Sequence, residues 1–518
     1  MTPAYRGQSR IWTDSSGPAT VHPGFKLTLG AVMGLGKRSS APVAQPGPNG
    51  GTGPIVAVLA IAVFMSGLDL FIVNLAFPSI GEEFVGVGLG ELSWVLNAYT
   101  IVFAAVLIPA GRWADQVGRR RALVAGLAVF TGGSLLCGLA PGVGWLVAAR
   151  MVQAIGAGVM VPASLSLLLA VVPVAQRARA LGSWSALGAL GAALGPVIGG
   201  VLVEVGWRWV FWVNLPVGVV AILLALRLVP ESRDDARRVR PDLLGALFLA
   251  LAVGSVAGAL VMAPEWGWAS AGFGGLLLAA ALCTGALVLR SSRHSAPVLE
   301  PGLFRSRAFA GAGAASVLYY AGFGAFLLHT VQFLTEVWHY SPLQAGLAIA
   351  PGPLMVLPFA RLIAPRLISL LGGVGRVAAL GCGVGAVAQL VWLMLLQAEP
   401  AYLTHLLPVQ LLGGAAVGLA IPSLLGAGSV GMPAARLGTG SGVLNMARQV
   451  GTVLGVAGLV AALGAPAADP LTGFRYGILV IITLFVAAGA VCLAVLARPV
   501  PPTPVAAALQ HDRPREAA

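Results

Sequence analysis

The chain of 518 residues is 58% hydrophobic and only 9% charged, with a mean hydropathy of +0.90. A soluble globule carries about a quarter of its residues as charges, so a water-soluble enzyme or binding domain is excluded and lipid must solvate most of the chain. The net charge of +13 does not read as a nucleic-acid surface, because the Lys and Arg residues stand singly or in short runs between long apolar segments.

In chain order, residues 1–54 are rich in Gly, Pro and Ser, carry Lys26, Lys37 and Arg38, and lack the apolar core of a signal peptide. They read as a disordered cytoplasmic tail, and Met33 is an alternative start. Gly34 to Ser39, GLGKRS, approaches a phosphate-binding loop, but Ala31 and Arg38 stand where that loop needs Gly and Ser or Thr. Beyond the tail come fourteen apolar runs, near 55–77, 92–111, 122–140, 145–171, 180–203, 209–228, 242–262, 271–289, 308–333, 343–365, 376–397, 404–427, 441–463 and 474–497. Each is close to the roughly 20 residues that span a bilayer as a helix. None alternates apolar with polar residues as a membrane strand would, so an all-α membrane protein is expected. Pro78 reads as the end of the first helix.

Positive charge sets the orientation. Arg119, Arg120 and Arg121, then Arg177 and Arg179, Arg233, Arg237, Arg238 and Arg240, Arg290, Arg293, Arg305 and Arg307, and finally Arg376 and Arg436 fall in alternate loops. The other loops hold Glu82, Glu83, Glu91, Glu204, Glu265, Glu336, Glu399 and Asp469, with Arg208 and Arg475 as their basic residues. The Arg-rich loops and both tails, the second at 498–518, are therefore expected in the cytoplasm, and the protein in the cytoplasmic (inner) membrane.

An ionised side chain in mid-membrane costs at least about 2.5 to 3.5 kcal/mol, so each one left inside a span is a functional candidate. In the first run, FMSGLDLFIVNLAFPSI places Asp69 deep in the bilayer with Asn74 five residues on. In the fourth, RMVQAIGAGVMVPASL sets Arg150 and Gln153 on nearly one face. The two helices run in opposite directions, and an Arg side chain can bridge the difference in depth between Arg150 and Asp69. The pair could merely fix packing, or Arg150 could tune a carboxylate that takes up and releases protons. Cys137, Cys283, Cys382 and Cys492 stand alone in apolar runs and read as packing residues. His329 and His405 are isolated and read as packing or interfacial residues. With no metal-spaced His cluster, nucleophile elbow or phosphate loop, neither an enzyme nor a bound cofactor is expected.

The sequence resembles the major facilitator superfamily, in its fourteen-span drug:proton antiporter branch of EmrB/QacA type. After the second run, GRWADQVGRR matches the branch's gate motif at Gly111, Asp115, Gly118, Arg119 and Arg120, whereas Trp113 and Gln116 depart from it. In the fifth run ALGALGAALGPVIGG is similar to the antiporter motif, with Gly188, Gly191, Gly195, Pro196, Gly199 and Gly200 in place, followed by WRWVFWVNLPVG. Leu68, Asp69, Asn74, Ala76 and Pro78 match the first-span element, with Phe71 where Thr is usual, and Arg150 and Gln153 match the fourth-span element, with Ala154 where Gly is usual. Gln332, SPLQAGLAIAPGP and GSGVLNMARQVGTVLGVA fit later segments, while the second-half counterpart of the gate loop, from Ala360 to Arg376, has lost its acid.

The resemblance implies the major facilitator fold: a six-helix bundle over 55–228, a cytoplasmic loop over 229–241, two inserted helices over 242–289, a second loop over 290–307 and a second bundle over 308–497. It implies a proton-coupled antiporter that exports small amphipathic or drug-like molecules by alternating access, driven by the proton gradient and with no cofactor. The gate motif would act as a cytoplasmic latch whose Asp–Arg bond breaks on opening, and the glycines of the antiporter motif would let helices pack closely. Large polyspecific sites are mostly apolar and aromatic with few polar groups, which makes Asn74, Trp94, Asn97, Tyr99, Gln153, Tyr319, Tyr320 and Gln332 the candidate substrate pathway. Trp94 could instead be an interfacial anchor. The expected partners are a small-molecule substrate, protons and the lipid bilayer, with no nucleic acid and function as a monomer. A channel or a membrane enzyme fits these residues less well, and the remaining alternative is an exporter of one endogenous metabolite, lipid precursor or siderophore.

Overall fold

The computed structural model describes residues 52–233, 240–430, 432, 436–464 and 469–497. Arg237, Arg238, Met33, the GLGKRS segment and the tail at 498–518 lie outside the described residues, as does all but the last three residues of the 1–54 segment.

Fourteen helices among the described residues are long and apolar enough to cross a membrane. The first six spans are Gly53–Glu83, Leu89–Val117, Arg119–Gly138, Val143–Val171, Arg179–Val205 and Trp209–Leu228. Two more, Leu243–Trp266 and Ala271–Arg293, are followed by Arg307–Val337, Pro342–Leu371, Val374–Leu395, Tyr402–Ser429, Thr439–Leu463 and Leu471–Leu496. In lipid a helix satisfies all its own backbone groups, so the apolar runs have no cheaper conformation. Ends carrying Arg119 to Arg121 form a basic face, and ends carrying Glu83 and Glu204 form an acidic one.

Pro78 does not end the first helix, which continues to Glu83. A proline in a helix deprives the carbonyl four residues back of its donor, but neighbouring helices offset that loss in a membrane bundle. Here Phe77 and Ile80 are completely buried on either side of the proline, so packing carries the helix through it. Asp69 consequently sits near the middle of a 31-residue helix.

The first span packs along the fifth, the third along the fourth and the second along the fourth; in the later half the ninth packs on the thirteenth and fourteenth, and the eleventh on the twelfth and fourteenth. The spans form two six-helix bundles with two helices inserted between them. The halves meet where the second span lies against the thirteenth and the fifth against the tenth. Of the inserted helices, span seven lies on both the second and the thirteenth spans, across the seam between halves. Span eight packs on span seven and shows most of its apolar surface outward, as a lipid-facing helix would.

Asp242 anchors the insert. It caps span seven by accepting from the Gly245 N–H at 2.9 Å, pairs with Arg290 at the end of span eight, and accepts from the Val298 N–H at 3.4 Å. Burial works to raise its carboxyl pKa, but the hydrogen bond from Arg290 and those from the two backbone N–H groups hold it below the usual carboxylate value.

Candidate functional site

Asp69 and Arg150 form an ion pair in the buried interior of the first half. Arg150 Nη1 donates to Asp69 Oδ2 at 2.6 Å, and the two side chains are 1% and 0% exposed. Gln153, one turn beyond Arg150, completes the arrangement: its Nε2 donates to Asp69 Oδ1 and to Ser134 Oγ, both at 2.8 Å, while its Oε1 accepts from Arg150 Nη1 at 2.6 Å. Arg150 Nε reaches the Val95 carbonyl at 3.2 Å, and its guanidinium lies 4.0 Å from the centroid of the Tyr99 ring. Four spans thus hold one carboxylate. Each of its oxygens accepts a hydrogen bond, so a proton arriving on either would cancel the charge that Arg150 and Gln153 hold in place.

The antiporter-motif glycines explain how the first span is placed. A Cβ at Gly188 would meet Val63 at 2.9 Å, at Gly191 the Phe64 carbonyl at 2.5 Å, at Gly195 Phe71 at 2.5 Å and at Gly199 Ile72 at 3.1 Å. These four glycines bring span five into contact with the stretch of span one that carries Asp69. Pro196 and Gly200 point elsewhere, toward Gly346 and Leu343 of span ten in the other half.

At the basic face, Asp115 pairs with Arg119 at 2.7 Å. Gly118 takes φ +120°, a conformation that a side chain rarely adopts, and a Cβ there would meet the Glu231 carboxylate at 2.8 Å. Glu231 and Ser232, from the loop after span six, were not legible as site residues. Glu231 accepts from the Arg120 N–H at 3.0 Å at the start of span three, lies 3.8 Å from Arg121, and Ser232 contacts Arg119 through both backbone and side chain. An acid at a helix N-terminus is favoured there, but in the sequence it is hidden among the charges of a loop. Arg120 also donates to the Val229 carbonyl. Gly111 faces Pro162 of span four at 3.5 Å.

The pathway residues separate into groups. Tyr99 and Gln153 belong to the ion-pair site. Asn74, which donates to the Leu70 carbonyl at 2.7 Å, lines a small apolar cleft between halves with Phe71, Pro196 and Phe326. Tyr319 and Tyr320 are buried in the second half, where Tyr319 lines a cleft with Gln389 and Phe485. Asn97 is 1% exposed and neither polar atom of its amide has a hydrogen-bond partner. Trp94 packs on Gly258 of span seven, and Gln332 donates to Glu336 at 2.7 Å near the acidic face, so neither is brought to the ion pair. His329 packs between spans, its Nε2 3.0 Å from the Phe474 carbonyl, and His405 contacts Thr404.

The rule that marks Arg150 also marks an arginine in the second half. Arg448 lies in span thirteen with its guanidinium 4.6 Å from the centroid of the Tyr320 ring.

Two helical halves, the first with a buried ion pair in its interior, and a helix pair inserted between them define a polytopic membrane protein of facilitator architecture. The sequence profile of the Major Facilitator Superfamily matches residues 59–248. The puromycin resistance protein pur8 of Streptomyces alboniger is 36% identical over 370 residues, 70% of this chain and 72% of that protein. The multidrug resistance protein Stp of Mycobacterium tuberculosis is 39% identical over 340 residues, 65% of this chain, and the match spans 60% of its length. An auto-inhibited POT family peptide transporter shares the fold with a TM-score of 0.62 at 17% identity, covering 87% of this chain and 97% of that one. The chain belongs to the major facilitator superfamily.

Proposed function

We propose that the protein is a proton-coupled antiporter that exports small amphipathic, drug-like molecules across the cytoplasmic membrane by alternating access between its halves. The observation that carries this reading is the buried Asp69–Arg150 pair: a carboxylate held in a dry site by a single guanidinium and an amide is a group whose protonation can be exchanged for a change in helix contacts. Asp115, Arg119 and Glu231 then act as a latch at the basic face, and the glycines of span five as the surface on which span one is held. The basic face is the cytoplasmic one, by the distribution of Arg between loops, and both termini lie there. The protein works as a monomer in the bilayer, with the proton gradient as its energy source and no cofactor.

Resistance names among the relatives support foreign or antibiotic-like substrates over one endogenous metabolite, lipid precursor or siderophore. A growth-inhibition panel in a pump-deficient host tests the reading. Expression should raise the inhibitory concentration of several unrelated amphipathic compounds, and Asp69→Asn should abolish that protection while the protein remains in the membrane. Equal sensitivity with and without the wild-type protein across the panel would overturn it.

A further inference from the structure

The buried pair leaves Arg448 of the second half unexplained. Arg448 is the tenth residue of the 25-residue span thirteen, counted from its basic end. Among the described residues it takes part in no ion pair, its Nε is buried without a hydrogen-bond partner, and its guanidinium faces Tyr320, over the ring and close to the hydroxyl. An aromatic face offsets part of a cation's desolvation. It leaves the charge itself uncompensated, in contrast to Arg150, whose guanidinium has Asp69.

Arg448 is also half of a pattern. Ser441, Asn445, Arg448 and Thr452 recur at intervals of four, three and four residues, which places them on one stripe of the helix. Ser441, at the basic end, is exposed and the other three are partly buried, whereas the neighbours Val443, Leu444 and Met446 are fully buried. The stripe therefore carries polar groups from the basic face inward to Arg448, beyond which Thr452 turns its hydroxyl to the Arg448 carbonyl and packs on Gly324 of span nine. Past Thr452 the same helix face continues as Gly455, Val456 and Leu459, all buried. Beyond the arginine, ring contacts lead across to the first half: Tyr320 to Phe323 at 6.1 Å between centroids, and Phe323 to Phe71 of span one at 6.4 Å. Phe71 is two residues from Asp69.

We infer that Arg448 is the anion-recognition point of a substrate site between the halves, and that the site takes planar aromatic molecules carrying a carboxylate or phenolate. The forked guanidinium would bind the anionic oxygen, Tyr320, Phe323 and Phe71 would hold the ring, and the polar stripe would admit the ligand from the basic face. The inference rests on the export reading for the direction of transport, but the binding step stands on the geometry of Arg448 and the three rings.

Two dyes with the same tricyclic ring and opposite charge test it: fluorescein, an anion at neutral pH, and rhodamine 6G, a cation. With the full chain in lipid nanodiscs, fluorescence polarisation should give tighter binding of fluorescein than of rhodamine 6G. Arg448→Gln should weaken fluorescein by about tenfold or more, the scale of one lost charge-assisted contact, and leave rhodamine 6G unchanged or tighter. Arg448→Lys, which keeps the charge and protects against a variant that merely misfolds, should keep the preference for fluorescein with a several-fold loss. No binding of fluorescein by the wild type, or fluorescein affinity unaltered in both variants, would overturn the inference. The same protein in proteoliposomes under an imposed pH gradient separates the two claims. Dyes that move with the gradient but ignore Arg448 would leave export standing without this site, and charge-selective binding with no gradient-driven movement would leave the site standing without export.

Discussion

Asp69 accepts one hydrogen bond on each oxygen, from Arg150 and Gln153, and the positive partner with these bonds is what makes its charge tolerable in a buried site. Removing one partner strands the other. Arg150→Ala is therefore expected to destabilise the protein by roughly 3 to 5 kcal/mol, the cost of an uncompensated buried charge, read as a lowered thermal unfolding midpoint in detergent; Arg150→Lys should recover part of the loss because charge survives without the fork. A midpoint for Arg150→Ala equal to the wild type's would mean that water reaches the site. Both residues were legible in the sequence because an ionised group inside an apolar run has few explanations. Arg448 was equally exposed to that rule but stood inside a motif-like segment, and no spacing announces that its neighbour would be Tyr320. Glu231 was hidden for the opposite reason, since an acid in a charged loop carries no signal until the loop is folded back onto the start of span three.

At the scale of helices, the glycines of span five and the insert make separate predictions. Gly191 lies where a Cβ would meet the backbone carbonyl of Phe64, which cannot rotate away as a side chain could. Gly191→Val should force spans one and five apart at a cost of about 1 to 3 kcal/mol, and the loss should appear as reduced yield of folded protein on size-exclusion chromatography; unchanged yield and midpoint would show that the seam is loose. Asp242 supplies a pH-dependent contribution. Its folded pKa is lowered, with burial opposing and Arg290 and the backbone N–H groups outweighing it, so the contribution is fully present above the unfolded value of about 3.9 and is lost as pH falls through the folded one. The gap in unfolding midpoint between wild type and Asp242→Asn should stay constant from pH 7 to about 5 and begin to narrow below about pH 4; a gap independent of pH would remove the ion pair with Arg290 from the account. The spans themselves were legible from hydropathy alone. Pro78 misleads because a rule learned from water, that proline stops a helix, weakens where packing on both sides of it holds the helix together.

At the scale of the molecule, the halves touch at both faces by different means. Toward the acidic face, Gly200 lies against Leu343, Gly346 against Pro196, and Glu204 accepts from the Leu343 N–H at 3.3 Å. Toward the basic face, the segment after span eight bridges the halves: Arg112 of span two donates to the Ala296 carbonyl, Glu300 lies 3.6 Å from Arg436, and Val298 and Leu303 are buried among residues of spans two, nine and thirteen. None of this bridge is visible in the sequence, because it depends on which loops meet once the bundle has closed. If the halves alternate, the acidic-face seam must open during each cycle. Joining cysteines placed at Glu204 and Leu343 with a short bifunctional thiol reagent should stop transport and a reducing agent should restore it, whereas transport that continues while cross-linked would show that the seam stays closed.

The most direct test of the central claim is transport in proteoliposomes by wild type and Asp69→Asn, with a compound identified in the growth panel. The wild type should accumulate it against its gradient when a pH difference is imposed, and Asp69→Asn should still exchange labelled for unlabelled compound but accumulate none. Accumulation by Asp69→Asn at the wild-type level would contradict the account and move the proton to another group.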